Sequence, residues 1–206
     1  MGVRAKPRPE SPSPVPHPVP HPEARAEPRG ETREALVGAA LRLLADGGEE
    51  PSLRAVARAA GVSAMAPYNH FADKAALLAA AATRGFALLG DALAAAGAQA
   101  DPGEALVAQG VAFVDFARAH PALFRLMYGP GYGSADAAAV RATYDVLAAR
   151  VAELLPEHAS TATLACRALV QGLAAIALNG RLAPSGPEDI PVAVQLLVRG
   201  FRPGAA

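Results

Sequence analysis

The stretch Gly61-Val62-Ser63-Ala64-Met65-Ala66-Pro67-Tyr68-Asn69-His70-Phe71-Ala72-Asp73-Lys74-Ala75-Ala76-Leu77-Leu78 decides how this chain is read. It predicts a short helix entered through a tight turn at Gly61, capped by Ser63, and followed at once by a longer helix capped by Asp73 and running to about residue 96. Just upstream, Ser52 opens another short helix over 52–60, with Leu53, Val56, Ala57 and Ala60 on its apolar face. Ser and Asp suit these positions because their side-chain oxygens accept from backbone N–H groups that a helix start leaves orphaned. Two short helices joined by a glycine-containing turn form the helix-turn-helix pattern, whose second helix enters the DNA major groove. A first helix, starting at about Arg29 or Thr32 and running to Asp46, repeats Leu36, Ala39, Ala40, Leu43 and Leu44 at helical spacing and ends at Asp46-Gly47-Gly48. Helices linked this tightly must pack on one another, so 29–85 reads as a compact helix-turn-helix unit.

Outward from that unit the chain stays helical. Residues 1–28 hold nine of the 19 prolines and form a Pro-rich tail that cannot build a core. Arg4, Lys6 and Arg8 leave two roles open for it: a solubilising extension, or a basic arm that touches DNA beside the main site. Beyond Gly97 the pattern predicts helices over 104–119, 121–128, 136–155 and 162–182, and a last one over 190–201 that follows a capped start at Ser185-Gly186-Pro187-Glu188. Pro121 suits a first helical turn, and Gly129-Pro130-Gly131 stops the short helix it opens. Ala and Leu, both strong helix formers, dominate the composition. The expectation is an all-α protein of about nine helices. Residues 86–206 form a second helical domain.

Charge and special residues narrow the class. Lys and Arg number 19, as do Asp and Glu, so no polycation is present. Within 51–85, however, Arg54, Arg58, Lys74 and Arg84 face Asp73 alone, an excess that suits a phosphate-facing surface. Cys166 is the single cysteine and five histidines are scattered, so no metal site is expected. No nucleophile–base pair, phosphate loop or cofactor motif is present, which argues against an enzyme and calls for no cofactor. No uninterrupted apolar run reaches the roughly 18 residues of a membrane span, and no signal-peptide core opens the chain. A cytoplasmic protein is expected by default.

Ala60-Gly61-Val62-Ser63, then Tyr68-x-His70-Phe71, then Lys74 and Leu77-Leu78 resemble the DNA-binding domain of the tetracycline-repressor (TetR/AcrR) family. The likeness covers about residues 30–85. His120-Pro121-Ala122-Leu123-Phe124-Arg125-Leu126-Met127 is similar to a shorter segment found in one C-terminal subgroup. The resemblance implies a homodimer that binds double-stranded DNA, one helix-turn-helix in each of two successive major grooves of a near-palindromic operator. It also implies a C-terminal cavity for a small effector that controls the spacing of the two heads.

The expected DNA-facing residues are Ser52, Arg54, Ser63, Ala64, Met65, Ala66, Tyr68, Asn69, His70 and Lys74. The N-terminus of the reading helix carries partial positive charge and free N–H groups suited to phosphate. Tyr68 offers a rigid ring with a hydroxyl, although a half-buried packing role is the alternative. His70 is open between donating to phosphate and capping the local turn. Lys74 sits where the DNA backbone should pass, and Arg54 matches a position that reaches bases or phosphate in relatives. Ser52 is able to cap its helix and donate to phosphate at once. Phe71, Val62, Leu77 and Leu78 are expected core.

Ala64, Met65 and Ala66 depart from the usual polar base readers, since readout of base edges favours Arg, Lys, Asn or Gln. Arg54 and Asn69 would then supply the polar readout, with DNA shape adding to it. Pro67 would cost about 3 kcal/mol inside a helix but little in its first turn. Hence the reading helix is short, or begins nearer Pro67 than Ser63.

For the effector, Phe86, Phe113, Phe116, Phe124, Met127, Tyr128, Tyr144 and Gln171 are the expected lining, against the alternative of an ordinary helical core. A hydrophobic, aromatic-sized molecule fits that set, with Gln171, Asn179 and Arg125 as candidate polar contacts. Ala165, Ala168, Leu169, Gly172, Leu173 and Ile176, with Val194, Leu197 and Phe201, are the expected dimer surface, or else a buried stripe within the chain. The functional expectation is a ligand-responsive repressor. The alternative is an interaction or ligand-sequestering protein whose helix-turn-helix reads DNA weakly.

Overall fold

In the computed structural model, residues 29–46, 50–129, 135–180 and 188–201 are described, together with Gly2 and Gly186. The tail (Gly2 apart), the Gly47-Gly48 exit, the Pro130-Gly131 stop and the cap expected at Ser185 lie outside them. Among the described residues the regular elements are all helical: α1 (Arg29–Ala45), α2 (Leu53–Ala60), α3 (Ala66–His70), α4 (Lys74–Ala96), α5 (Pro102–Ala119), α6 (Pro121–Tyr128), α7 (Ala137–Leu154), α8 (Ala159–Leu178) and α9 (Asp189–Arg199). A 3-10 turn, Pro156–His158, leads into α8.

Local chemistry sets most boundaries. Asp73, Asp101 and Asp136 each accept a backbone N–H at the starts of α4, α5 and α7, from Ala76 at 2.8 Å, Glu104 at 2.8 Å and Ala138 at 2.7 Å. Asp101 with Pro102 starts α5 two residues earlier than the expected 104. α8 begins at Ala159, earlier than the expected 162, and ends at Leu178, with Gly180 in the left-handed region at φ 65°.

Two apolar cores share α4. The smaller gathers Leu36, Val37, Ala40, Leu53, Val56 and Phe71 around Leu77 and Ala81. The larger runs from Ala82 and Phe86 through α5, α6, α7, α8 and α9. A border at residue 85 therefore falls inside a continuous helix. α6 is wedged between the two: Leu126 packs against both cores, while Leu123 and Met127 lie over Gly85. A Cβ at Gly85 would meet Met127 Sδ at 2.7 Å, so the glycine permits this close approach.

By length and composition alone, Lys74–Ala96 and Pro156–Leu178 are apolar enough to cross a membrane, although the sequence offers no uninterrupted span. Lys74–Ala96 instead supplies Leu77, Leu78, Phe86, Leu89 and Leu93 to the interior. α8 buries Ala162, Cys166, Val170 and Ala174 but exposes Leu164 and Ile176. Its outer face continues on α9 with Val192 and Leu196.

Candidate nucleic-acid interface

The reading head is built from α2, α3 and the turn between them. Ser52 caps α2: its Oγ accepts from the Ala55 N–H at 3.2 Å. That leaves Arg54 and Arg58 exposed one turn apart, and Leu53, Val56 and Ala57 buried. Gly61 leaves α2 at φ 71°, the left-handed region where glycine carries no Cβ penalty. Its N–H donates to Arg58 C=O at 3.2 Å and that of Val62 to Ala57 C=O at 3.0 Å, closing the helix end.

Ser63 does not cap α3. The helix starts at Ala66, and Met65 stands at its cap position without a side-chain bond. Proline explains the shift: a helix begun at Ser63 would ask the Pro67 nitrogen to donate to Ser63 C=O, and that nitrogen has no hydrogen. Ser63 C=O accepts instead from the Ala66 N–H at 3.0 Å, and Met65 C=O from the Tyr68 N–H at 3.1 Å. The free N–H groups expected at this helix start for phosphate are thus partly used by the turn. The Pro67 ring is fully buried and anchors α3 to the three-helix core.

The fixed inner face of α3 decides what points outward. Ser63, Ala64, Tyr68 and Asn69 are exposed, Met65 is 64% exposed, and Ala66 and His70 are half-buried. Tyr68, at 49% exposure, leaves about half of its surface outward. Phe71 is buried, with the Arg33 guanidinium 5.2 Å from its ring centroid. Lys74 opens α4, but its Nζ is engaged by Glu50 Oε2 at 3.0 Å. Sequence reasoning missed that acid, which lies 24 residues earlier, ahead of α2; the fold brings the segment before α2 beside the start of α4.

The expected effector residues fall into one group and two outliers. Phe124 and Tyr128 pack with centroids 4.4 Å apart, Phe86 meets Tyr128 edge-on at 5.4 Å, and Phe113 meets Phe124 at 5.7 Å. Tyr128 and Tyr144 share a hydrogen bond between hydroxyls of 2.7 Å, and Gln171 Nε2 donates to the Tyr144 hydroxyl at 3.0 Å. Met127 is buried at the α4–α6 contact instead, and Phe116 turns aside to stack on His120 at 4.8 Å. Beside the aromatic group lies a cleft of about 330 Å³ lined by Phe124, Arg125, Tyr128, Gly129, Leu178 and Asn179. Arg167 is a neighbour the sequence reading passed over. Its guanidinium sits 3.7 Å from the Tyr144 ring centroid. The available signal was its place as the lone charge in the apolar body of α8.

The dimer stripe divides. Val194 is buried against Gly110, and Leu169 and Leu173 pack on the larger core, so these are intrachain contacts. Ala168, Gly172 and Ile176 face outward as expected, joined by Leu164 on α8 and by Val192 and Leu196 on α9.

A capped helix, a glycine turn and a short proline-anchored reading helix, mounted on a helical C-terminal body, define a helix-turn-helix DNA-binding regulator. Comparisons place it further. The family profile described as bacterial regulatory proteins of the tetR family matches residues 36–81, and the tetracyclin repressor-like C-terminal domain matches 106–201. A solved protein of unknown function from Rhodococcus sp. RHA1 is 34% identical, with 88% of this chain and 98% of that one aligned and a TM-score of 0.70. A transcriptional regulator from the same organism is 27% identical, over 82% and 95% of the two chains, with a TM-score of 0.63. A putative transcriptional regulator from Pseudomonas aeruginosa PAO1, at 22% identity over 90% and 98%, shares the fold with a TM-score of 0.67. No curated protein matches the chain significantly. The chain belongs to the tetracycline-repressor family of bacterial transcriptional regulators, DNA-binding proteins rather than enzymes.

Proposed function

We propose that this protein is a homodimeric, cytoplasmic repressor that binds a near-palindromic operator and is released by a small, largely apolar effector held in its C-terminal domain. The observation that carries the reading is the position of α6. Its Phe124 and Tyr128 belong to the aromatic group beside the cleft, and its Leu126 touches the core of the DNA-binding unit. A molecule that displaces Tyr128 moves a helix packed on α1 and α4, and so moves the head. The effector acts by population shift: it binds the spacing that does not fit DNA more tightly than the one that does.

On the DNA side, Tyr68 and Lys74 contact phosphate, with Ser52 and His70 as further donors. Arg54 and Asn69 supply polar readout. Ser63, Ala64, Met65 and Ala66 form the apposed surface, where the exposed Met65 suits contact with a thymine methyl group. Two heads on one two-fold axis would sit about 34–36 Å apart along the duplex.

The test is binding of the purified protein to duplex from its own upstream region and to a scrambled duplex, across a salt series. A large preference for the native duplex, falling steeply with salt, is expected. Equal weak binding to both would favour the alternative, a ligand-sequestering protein whose apolar Ala64-Met65-Ala66 segment no longer reads bases.

A further inference from the structure

Most charged side chains in the C-terminal body are exposed; Arg150 and Arg167 are half-buried, and Arg150 is paired with Glu153 while Arg167 shows no such partner among the described residues. It is half-buried on α8, its guanidinium lies against the Tyr144 ring, and its Nε is buried with no hydrogen-bond partner. No carboxylate among the described residues lies within 4.0 Å of it. A guanidinium carries a fixed positive charge, and even partial withdrawal of a cation from water is costly unless something negative faces it. A ring face offsets only part of that cost.

The surroundings look built for such a partner. Gln171, one turn further along the same face of α8, donates to the Tyr144 hydroxyl, which in turn bonds Tyr128. Tyr128 walls the 330 Å³ cleft and stacks on Phe124. A cation and polar hydrogens thus stand at one end of an otherwise aromatic region. We propose that the effector is an apolar carboxylic acid whose carboxylate is bound by Arg167, with the Tyr144 hydroxyl and Gln171 completing the site and the apolar body resting on the Tyr128–Phe124 wall. One half-buried cation balances one negative charge, which favours a monoanion; Arg125 lines the cleft itself but is exposed, whereas Arg167 connects to it through Tyr144 and Tyr128. The guanidinium fork matches carboxylate geometry. This inference rests on the reading of the C-terminal domain as an effector site.

The experiment uses the full chain and matched acid–amide pairs: benzoate and benzamide, 2-naphthoate and 2-naphthamide, octanoate and octanamide. Binding is followed by thermal shift, and release by fluorescence anisotropy of labelled upstream duplex. At least one acid should bind at least tenfold more tightly than its amide. Arg167→Met should remove that preference while leaving the amide's affinity unchanged. Gln171→Glu, which places a carboxylate beside the guanidinium, should raise the Tm and abolish acid binding; this variant keeps the test informative where Arg167→Met folds poorly. Amides binding as well as acids, no acid binding at all, or acid binding unaltered in both variants would overturn the proposal. Acid binding that depends on Arg167 without release of DNA would leave this site standing and refute the release mechanism. Specific DNA binding with no acid bound would refute this inference and not the regulator.

Discussion

Lys74 shows how one side chain can be predicted in kind and still be found in a different state. The ammonium expected to meet a phosphate holds Glu50 at 3.0 Å, with both side chains near half exposure. Exposed pairs of this sort are weak, so a phosphate can displace the carboxylate, but Glu50 then stays beside the DNA as a like charge. Glu50→Gln should therefore tighten operator binding several-fold. Lys74→Ala should weaken binding to all duplexes and reduce the slope of log affinity against log salt by about one. Tyr68→Ala should add to the loss. Anisotropy titrations across a salt series read all three, and unchanged affinity in Lys74→Ala and Tyr68→Ala would remove their phosphate roles. At the same scale, burial pushes the Cys166 thiol up to about 11, from 9.0. The folded protein then holds the thiol proton more tightly than the unfolded chain, so stability is lost as pH rises from about 9 to 11. Cys166→Ala should flatten that alkaline decline in denaturant midpoints, and native Cys166 should alkylate slowly at pH 8 until the protein is unfolded.

Elements were legible wherever a cap or a breaker writes their ends. Asp73 names the start of α4, Pro121 that of α6, and Gly61 the exit from α2, because each acts within one turn of its own position. α5 and α3 were exceptions: the Asp101 cap with Pro102 was passed over in favour of a start at 104, and Ser63 has the chemistry of a cap, yet the missing N–H of Pro67 four residues later prevents the bond that would make it one. Side-chain burial is harder to foresee than helix limits. Val194 and Ile176 have the same apolar character, but Val194 is buried against Gly110 while Ile176 is 41% exposed. Gly85 belongs here too. Gly85→Ala forces Met127, itself fully buried, off its position over α4. Overpacking of this kind costs about 1–3 kcal/mol. A lowered melting temperature, with altered effector response if α6 transmits it, is the expected outcome in calorimetry and release assays; a wild-type Tm would show that α6 adapts freely.

At the scale of the molecule, the face left by α8 and α9 calls for a partner. Leu164 and Leu196 are 64% and 63% exposed, and Leu164 shares α8 with the exposed Ala168 and Gly172, whose small side chains let helices approach. A second copy brings the same face, and a two-fold axis makes it self-complementary. Leu164→Glu with Leu196→Glu should convert the dimer to a monomer in light scattering and lower operator affinity by orders of magnitude, while circular dichroism stays helical. A variant that remains dimeric would move the interface elsewhere. The sequence by itself determined the all-helical class, the helix-turn-helix with its caps and turn, and the kinds of side chain offered to DNA, because caps, glycine turns and apolar periodicity act over a few residues. Only the tertiary structure decided that Glu50 sits on Lys74, that α6 touches both cores, that half of the apolar stripe of α8 and α9 is interior, and that Arg167 has no carboxylate partner among the described residues. Each of those depends on which helices meet, and contacts across tens of residues leave no mark in local spacing.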